Sequence, residues 1–452
     1  MSKDSSNTTI SLERIEEDIQ WLTQKLGSRP AFSSNARLAA LGIRDRLEDA
    51  GWTVEFPQLA NNIVSCRGKG SVLLLAHSDS VSHSPGTIDN AVAVATLIEL
   101  ARSSKATDLC LGFPAQEEIG LVGSIHMASL IDEWHPKPSE LQLVLSLDLV
   151  GQGQLSITGL NRDWNHSQLA WLREHSDISS EYGYQIASRL LPKSERSDHR
   201  PFAEKGYLSA QLLGRNEDGI FPLYHQETDT EYSTEHIQHL MENLEEIVQN
   251  PPPQDSQQWK ASILIGQNLL PFWIIWPILI ASIIVGLRRF STIKKIGINL
   301  LQILSVFLLW ALLSNIGLRL SGFSPGIEEI TAQQVLGLPT NGWWGIAPFY
   351  SLGLFFVISA AQFSSKCKGS TTFFGGLITA VLTVFDPLLA FPFALGTLLS
   401  LFHPLLFLVG GIYWSYFGTL RQLSFWGLLP PELWFLLSLF CLPAILSRES
   451  ND

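Results

Sequence analysis

Residues 72–79 read VLLLAHSD, an unbroken aliphatic run that stops, with no turn signal, on histidine and aspartate. An apolar run without polar alternation is what a strand covered on both faces requires. The same shape recurs twice. Residues 109–118 read LCLGFPAQEE, and residues 141–148 read LQLVLSLD. Each buried run delivers carboxylates or an imidazole at its carboxyl end. A further acid, Asp89, stands directly before NAVAVATLIELAR (90–102), an apolar helical pattern. Strands alternating with helices predict an α/β domain: a mixed, mostly parallel sheet sandwiched by helices. In such sheets, sites form beyond the carboxyl ends of the strands.

Outward from these runs, the spacing predicts helices over 12–26 and 35–50, stopped by Gly27 and Gly51. Further helices are expected over 123–131 and 234–248, with short strands over 53–56 and 62–66. The stretch NPPPQDSQQ that follows (250–258) has linker composition. The chain therefore divides into an α/β domain (1–249), a Pro/Gln-rich linker (250–260) and a hydrophobic domain (261–447).

Charge supports that division. Residues 1–260 hold 36 Asp and Glu against 21 Lys and Arg, whereas residues 261–452 hold 6 against 9. From 262 to 447 only 12 of 186 residues are charged. A bilayer span needs about 20 apolar residues. Candidates cover 262–287, 296–318, 345–363, two within 371–420, and 426–446, an all-α transmembrane bundle of about six helices. The composition excludes a disordered chain, and the lack of a basic stripe excludes a nucleic-acid binder. A lipid bilayer is the expected partner of this half, and nothing in the sequence speaks to oligomeric state. The N-terminal MSKDSSNTTISLERIEED is polar and acidic, so no cleaved signal peptide is expected. Arg288, Arg289, Lys294, Lys295, Lys366, Lys368 and Arg421 fall on one side of a six-span arrangement. The positive-inside tendency then puts the acidic domain of this multi-pass integral membrane protein on the exoplasmic side. The four cysteines (Cys66, Cys110, Cys367, Cys441) are scattered and read as packing residues.

The chemistry lies in what the strand ends carry. His77, Asp79, Glu117, Glu118 and Asp148 follow three buried strands, Asp89 opens a helix, and Tyr224-His225 lies in FPLYHQETDT. Carboxylates gathered without a cation repel one another and raise their own pKa values. Divalent metals remove that conflict, and mixed imidazole and carboxylate donors suit zinc. Adjacent side chains in Glu117-Glu118 diverge, so one can bind metal while the other serves as a base.

The set HSDS, GTIDNAVAVATLIELAR, FPAQEEIGLVGS, SLDLVGQG, SDHRPF and YHQETDT resembles the co-catalytic zinc aminopeptidases of metallopeptidase family twenty-eight. The resemblance implies two Zn2+ per chain, one held by His77 and Asp148, the other by Glu118 and His225, with Asp89 bridging. It implies Glu117 as general base, Asp79 holding His77, and Tyr224 steadying a tetrahedral oxyanion. It further implies a cis peptide at Asp89-Asn90 and peptide substrates with a free amino terminus. The expected activity is that of a membrane-tethered zinc exopeptidase. Two other readings stand beside it: a single-zinc acyltransferase like the glutaminyl cyclases, and a catalytically silent peptidase fold serving as a receptor or regulatory head on a transporter. His199 reads as a loop-ordering residue rather than a ligand, His83 as incidental, and Glu227 and Asp229 as hydrogen-bonding around His225.

Overall fold

In a computed structural model of the chain, β3 (Val72–Leu75) lies between β4 (Leu109–Phe113) and β5 (Leu143–Leu147), parallel to both. The structure describes residues 10–55, 61–104, 106–161, 163–180, 185, 188–189, 195, 197–215, 224–254, 262–265, 268–288 and scattered positions between 376 and 398. All residues of these three strands are buried, which is why each run is apolar throughout rather than alternating. Around them, β1 (Val54–Glu55), β2 (Ile63–Arg67), β6 (Gln154–Thr158) and β7 (Ser209–Arg215) complete a seven-stranded sheet, ordered β1-β2-β4-β3-β5-β7-β6. β7 adds parallel to β5, while β2, β1 and β6 are antiparallel margins.

Register decides what the carboxyl edge presents. Leu75 lies opposite Gly112 on one side and Ser146 on the other. Two residues beyond that line stand His77 on one strand and Asp148 on its neighbour, level with each other. Glu117 and Glu118 come back to the same edge only after a turn, where Gln116 and Leu121 adopt positive φ.

Helices cover the sheet: α1 (Leu12–Gln20), α2 (Ser34–Asp49), α3 (Val92–Ser103), α4 (Val122–Ser129), α5 (Ile131–Trp134), α6 (His166–Glu174), α7 (Arg200–Glu204) and α8 (Thr234–Gln249). Ser11, Ser33, Asn165 and Ser233 cap α1, α2, α6 and α8 by accepting a first-turn N–H. α1 runs on as a wider turn over Trp21–Leu26 and stops at Gly27, whose φ of 75° is cheap for glycine. α3 is buried almost end to end, packed against α1, α2 and α8, so its sequence is mostly aliphatic, and its buried Glu99 is paired with Arg14.

Four elements carry no strong sequence signal: β6, β7, α6 and α7. Their apolar residues are few and interrupted by Gln, Ser and Gly, and packing rather than periodicity defines them. The cysteine expectation needs correction. Cys66 and Cys110 are opposite partners in the antiparallel β2–β4 pair and form a disulfide. Their 44-residue separation hides a juxtaposition that only strand register creates.

Two compact units divide the chain: residues 1–260 with 264–269, and residues 261–263 with 270–452. The first expected span, 262–287, is also corrected. Residues 263–265 and 268–270 are paired strands, β8 (Ile263–Ile265) and β9 (Asn268–Leu270), and a helix, α9 (Phe272–Arg288), begins only after Pro271. The β-branched Ile263 and Ile265 favour a strand, and Pro271 favours a helix start directly after it. α9 is 17 residues long with Pro277 inside it, and no helix among the described residues is long and apolar enough to cross a membrane. The expected spans over 296–318, 345–363 and 426–446 lie outside the described residues, as does most of 371–420.

Candidate metal centre

The carboxyl edge of β3, β4 and β5, the entry to α3 and the turn at Tyr224-His225 meet at one place. Nε2 of His77 lies 3.1 Å from Oδ1 of Asp89 and 3.7 Å from Oδ1 of Asp148. Nε2 of His225 lies 2.9 Å from Oε2 of Glu118 and 3.3 Å from Oδ2 of Asp89. Two trios result, His77–Asp89–Asp148 and Asp89–Glu118–His225, each with one donor atom per residue within 4.8 Å of the others. Asp89 belongs to both, offering one oxygen to each imidazole. Glu117 completes a third grouping with His77 and Glu118.

The donors fit a divalent cation. Asp89 Oδ2, Glu118 Oε1 and His225 Nε2 are buried atoms without a hydrogen-bond partner. Such orphans are costly unless something meets them. Imidazole and carboxylate together are the donor chemistry zinc takes. Electrostatics agree. Burial pushes the Asp89 carboxyl up, but the imidazoles of His225 and His77 beside it outweigh that and hold it well below the usual carboxylate range. Burial lowers His225, and Asp89 and Glu118 more than reverse this, to about 10. His77 is likewise raised well above its ordinary value against its burial, by Asp148, Asp79 and Asp89. Burial lifts Glu118 to about 7, with Asp89 adding to it. A cation held by these donors would take the place of any proton on the imidazoles.

Buried polar side chains fix these residues in place. Oδ1 and Oδ2 of Asp79 accept the N–H groups of Glu117 and Glu118 at 3.1 and 3.3 Å, and Oδ1 lies 3.7 Å from Nδ1 of His77. One carboxylate thus couples the ends of β3 and β4. Asn62 brackets the Glu117-Glu118 turn, accepting from Ala115 N and donating to Gly123 O. Gln211, on β7, donates to Oδ2 of Asp148 at 3.2 Å and accepts from Thr158. Asn90 donates to Leu147 O at 2.7 Å, and the Asp89-Asn90 peptide is cis, as the resemblance implied.

The expectations for Glu227, Asp229 and His83 change, whereas His199 is, as expected, no member of the trios. Asp229 does not serve His225: its carboxylate accepts from the N–H groups of Ile88 and Asp89, while Glu227 is exposed. His83 is not incidental, because its Nε2 lies 2.8 Å from the carbonyl oxygen of His225, a residue at φ 57°. His199 is buried and pairs with Glu195 and Ser146, away from the ligand trios. The ring of Tyr224 stacks on His225 with centroids 3.7 Å apart. Asp198 is buried in the same neighbourhood, with Oδ1 unpartnered, and burial lifts its carboxyl to about 7. Asn62 and Gln211 left little trace in the sequence, since single amides off the strand ends look like any polar residue, whereas Asp198 lies in the SDHRPF motif.

Comparison with known proteins follows this geometry. Residues 61–248 match the family model "Peptidase family M28". Aminopeptidase YwaD of Bacillus subtilis is 34% identical over 173 residues, covering 37% of this chain and 36% of that protein. Vacuolar membrane protease of Meyerozyma guilliermondii is 27% identical over 167 residues, covering 34% of this chain and 16% of that protein. The chain thus spans about a third or less of the length of these curated relatives. The solved structure of a zinc aminopeptidase from Bacillus subtilis aligns with a TM-score of 0.46 at 14% identity, covering 57% of this chain and 99% of that one. Every ligand of both trios falls inside the matched segment, and residues 61–248 carry a peptidase family M28 domain.

Proposed function

We propose that the chain is a membrane-tethered, zinc-dependent exopeptidase that removes amino-terminal residues from peptides. The observation that carries this reading is the pair of ligand trios sharing Asp89. On this reading, His77 and Asp148 would hold one Zn2+ and Glu118 and His225 the other, with Asp89 contributing to both. The His77–Asp89–Asp148 trio favours two ions over the single-zinc cyclase reading. Bound zinc supplies Lewis-acid polarisation of the scissile carbonyl and an acidified water. The remaining work belongs to side chains of this chain. Glu117 takes the proton of the attacking water as the new C–O bond forms, and gives it to the amine as the C–N bond breaks. Tyr224, seated on His225, donates its hydroxyl to the developing oxyanion. Asp79 keeps His77 and the Glu117-Glu118 turn in register. The acidic groups around Glu117 suit a substrate α-ammonium.

The test is a substrate pair on the full-length chain in detergent. An amino-acid anilide with a free amino group is expected to be cleaved, its N-acetylated counterpart not, and a chelator should stop the reaction. Turnover of the blocked substrate alone would overturn the exopeptidase assignment.

Membrane tethering rests on the composition of residues 261–447 and on α9, whose Trp273, Ile280, Ile284 and Leu287 are exposed without a charge before Arg288. The exoplasmic placement draws support from the Cys66–Cys110 disulfide, since such bonds persist in oxidising compartments. Acid-quenched cells treated with a thiol reagent are expected to yield Cys66 and Cys110 peptides that are unmodified until reduction. Modification of both before reduction would place the domain on the reducing side.

A further inference from the structure

Arg29 is 1% exposed, yet no carboxylate touches it among the described residues. Every acceptor it meets is a main-chain carbonyl. Nε donates to Ser78 O at 3.1 Å, Nη1 to Leu22 O, Gly27 O and Pro85 O at 3.0, 2.9 and 2.8 Å, and Nη2 to Gly86 O at 3.1 Å. Its own backbone is tied to the same loop: Arg29 N donates to Ser80 Oγ at 3.0 Å, and Ser80 N donates to Arg29 O at 3.2 Å.

The position of those carbonyls gives the contacts their meaning. Residues 78–86 are the loop between His77 and Asp89, so one guanidinium grips it just after the first ligand and just before the second. Leu22 and Gly27 belong to the end of the first helical segment, where carbonyls lack helical partners. The clamp therefore also anchors the loop to a fixed helix end. At Gly86, with φ at 61°, an added Cβ would lie 3.0 Å from Arg29 Nη2 and 2.4 Å from Asp89 O, so that turn is built closely around both. Arginine suits this role because its planar fork presents five N–H donors, whereas lysine offers three at a single point. Burial lowers the guanidinium to about 10, with the carboxylates of Asp79 and Asp89 opposing the fall most, so it stays cationic near neutral pH.

We infer that Arg29 is a positioning residue of the metal centre, holding the 78–86 loop so that His77 and Asp89 stand at coordinating separation. This rests on the metal-binding reading above. Its test needs no turnover. Metal-stripped full-length wild type, Arg29→Lys and Arg29→Met are titrated with Co2+ against a competing chelator, and the visible spectrum of bound cobalt and the far-UV circular dichroism of the metal-free chains are recorded. Loss of outer partners of metal ligands typically weakens binding about 10–100-fold. Arg29→Lys is expected near the lower figure and Arg29→Met near the upper, each folded and each with an altered cobalt spectrum. Folded variants with wild-type affinity and spectrum would overturn the inference. So would variants that lose their fold before metal is added, since Arg29 would then be a folding determinant only. A wild-type chain that takes up no cobalt overturns the metal-centre reading instead, and its own trace identifies that case.

Discussion

Glu117→Gln is expected to keep the full metal complement of the chain and to lower turnover of a free-amino-terminal anilide about 10²–10⁴-fold, the usual worth of a positioned general base. Glutamine preserves the shape and volume of the side chain and removes its capacity to accept a proton. Metal binding should survive because Glu118, not Glu117, faces His225 at 2.9 Å. The turn should survive because Asp79 holds it through the backbone N–H groups of both residues. Burial lifts the Glu117 carboxyl well above the ordinary range, His77 pulling it back and Glu118 adding to it. A base with a raised pKa takes protons more readily, and its working form is lost as pH falls, so the acid limb of the wild-type rate profile should vanish in the variant. Metal analysis with steady-state rates checks this. Unchanged turnover would remove Glu117 from the mechanism, and loss of metal would make it a ligand.

How much of this was legible beforehand follows from physical reach. Buried parallel strands must be continuously apolar, so VLLL, LCLGF and LVLSL announce themselves, and the polar residues that end them mark the edge where a site forms. The candidate ligands His77, Glu118 and Asp148 lie there for that reason, while Asp89 stands before α3 and His225 in a turn. What holds them was hidden. Arg29 sits 48 residues before His77 and works through carbonyl oxygens, which carry no side-chain identity. Gln211 reaches Asp148 from a strand whose sequence, SAQLLGR, is too mixed to be read as one. His83 meets a backbone carbonyl 142 residues away. The Cys66–Cys110 pair depends on antiparallel register between strands that are not neighbours in sequence. Local pattern shows an element and its exposed chemistry, whereas long-range partners emerge only when topology sets register.

Asp89→Ala is expected to be the most damaging single ligand change. Its two oxygens face different imidazoles, Oδ1 toward His77 and Oδ2 toward His225, so both trios lose a member at once. It leaves His77 with Asp148, and His225 with Glu118, as two separated pairs too poor in donors for a tight site. Asp148→Ala, by contrast, removes a donor from the first trio alone. Activity should fall below detection in the first variant and leave a measurable remnant in the second. Zinc counted per chain, by elemental analysis of metal-stripped, reloaded and desalted protein, decides between this account and its rivals. Two ions in the wild type, one in Asp148→Ala and none in Asp89→Ala are the expected numbers; a wild-type count unaffected by either substitution would place the metal elsewhere and contradict the shared centre.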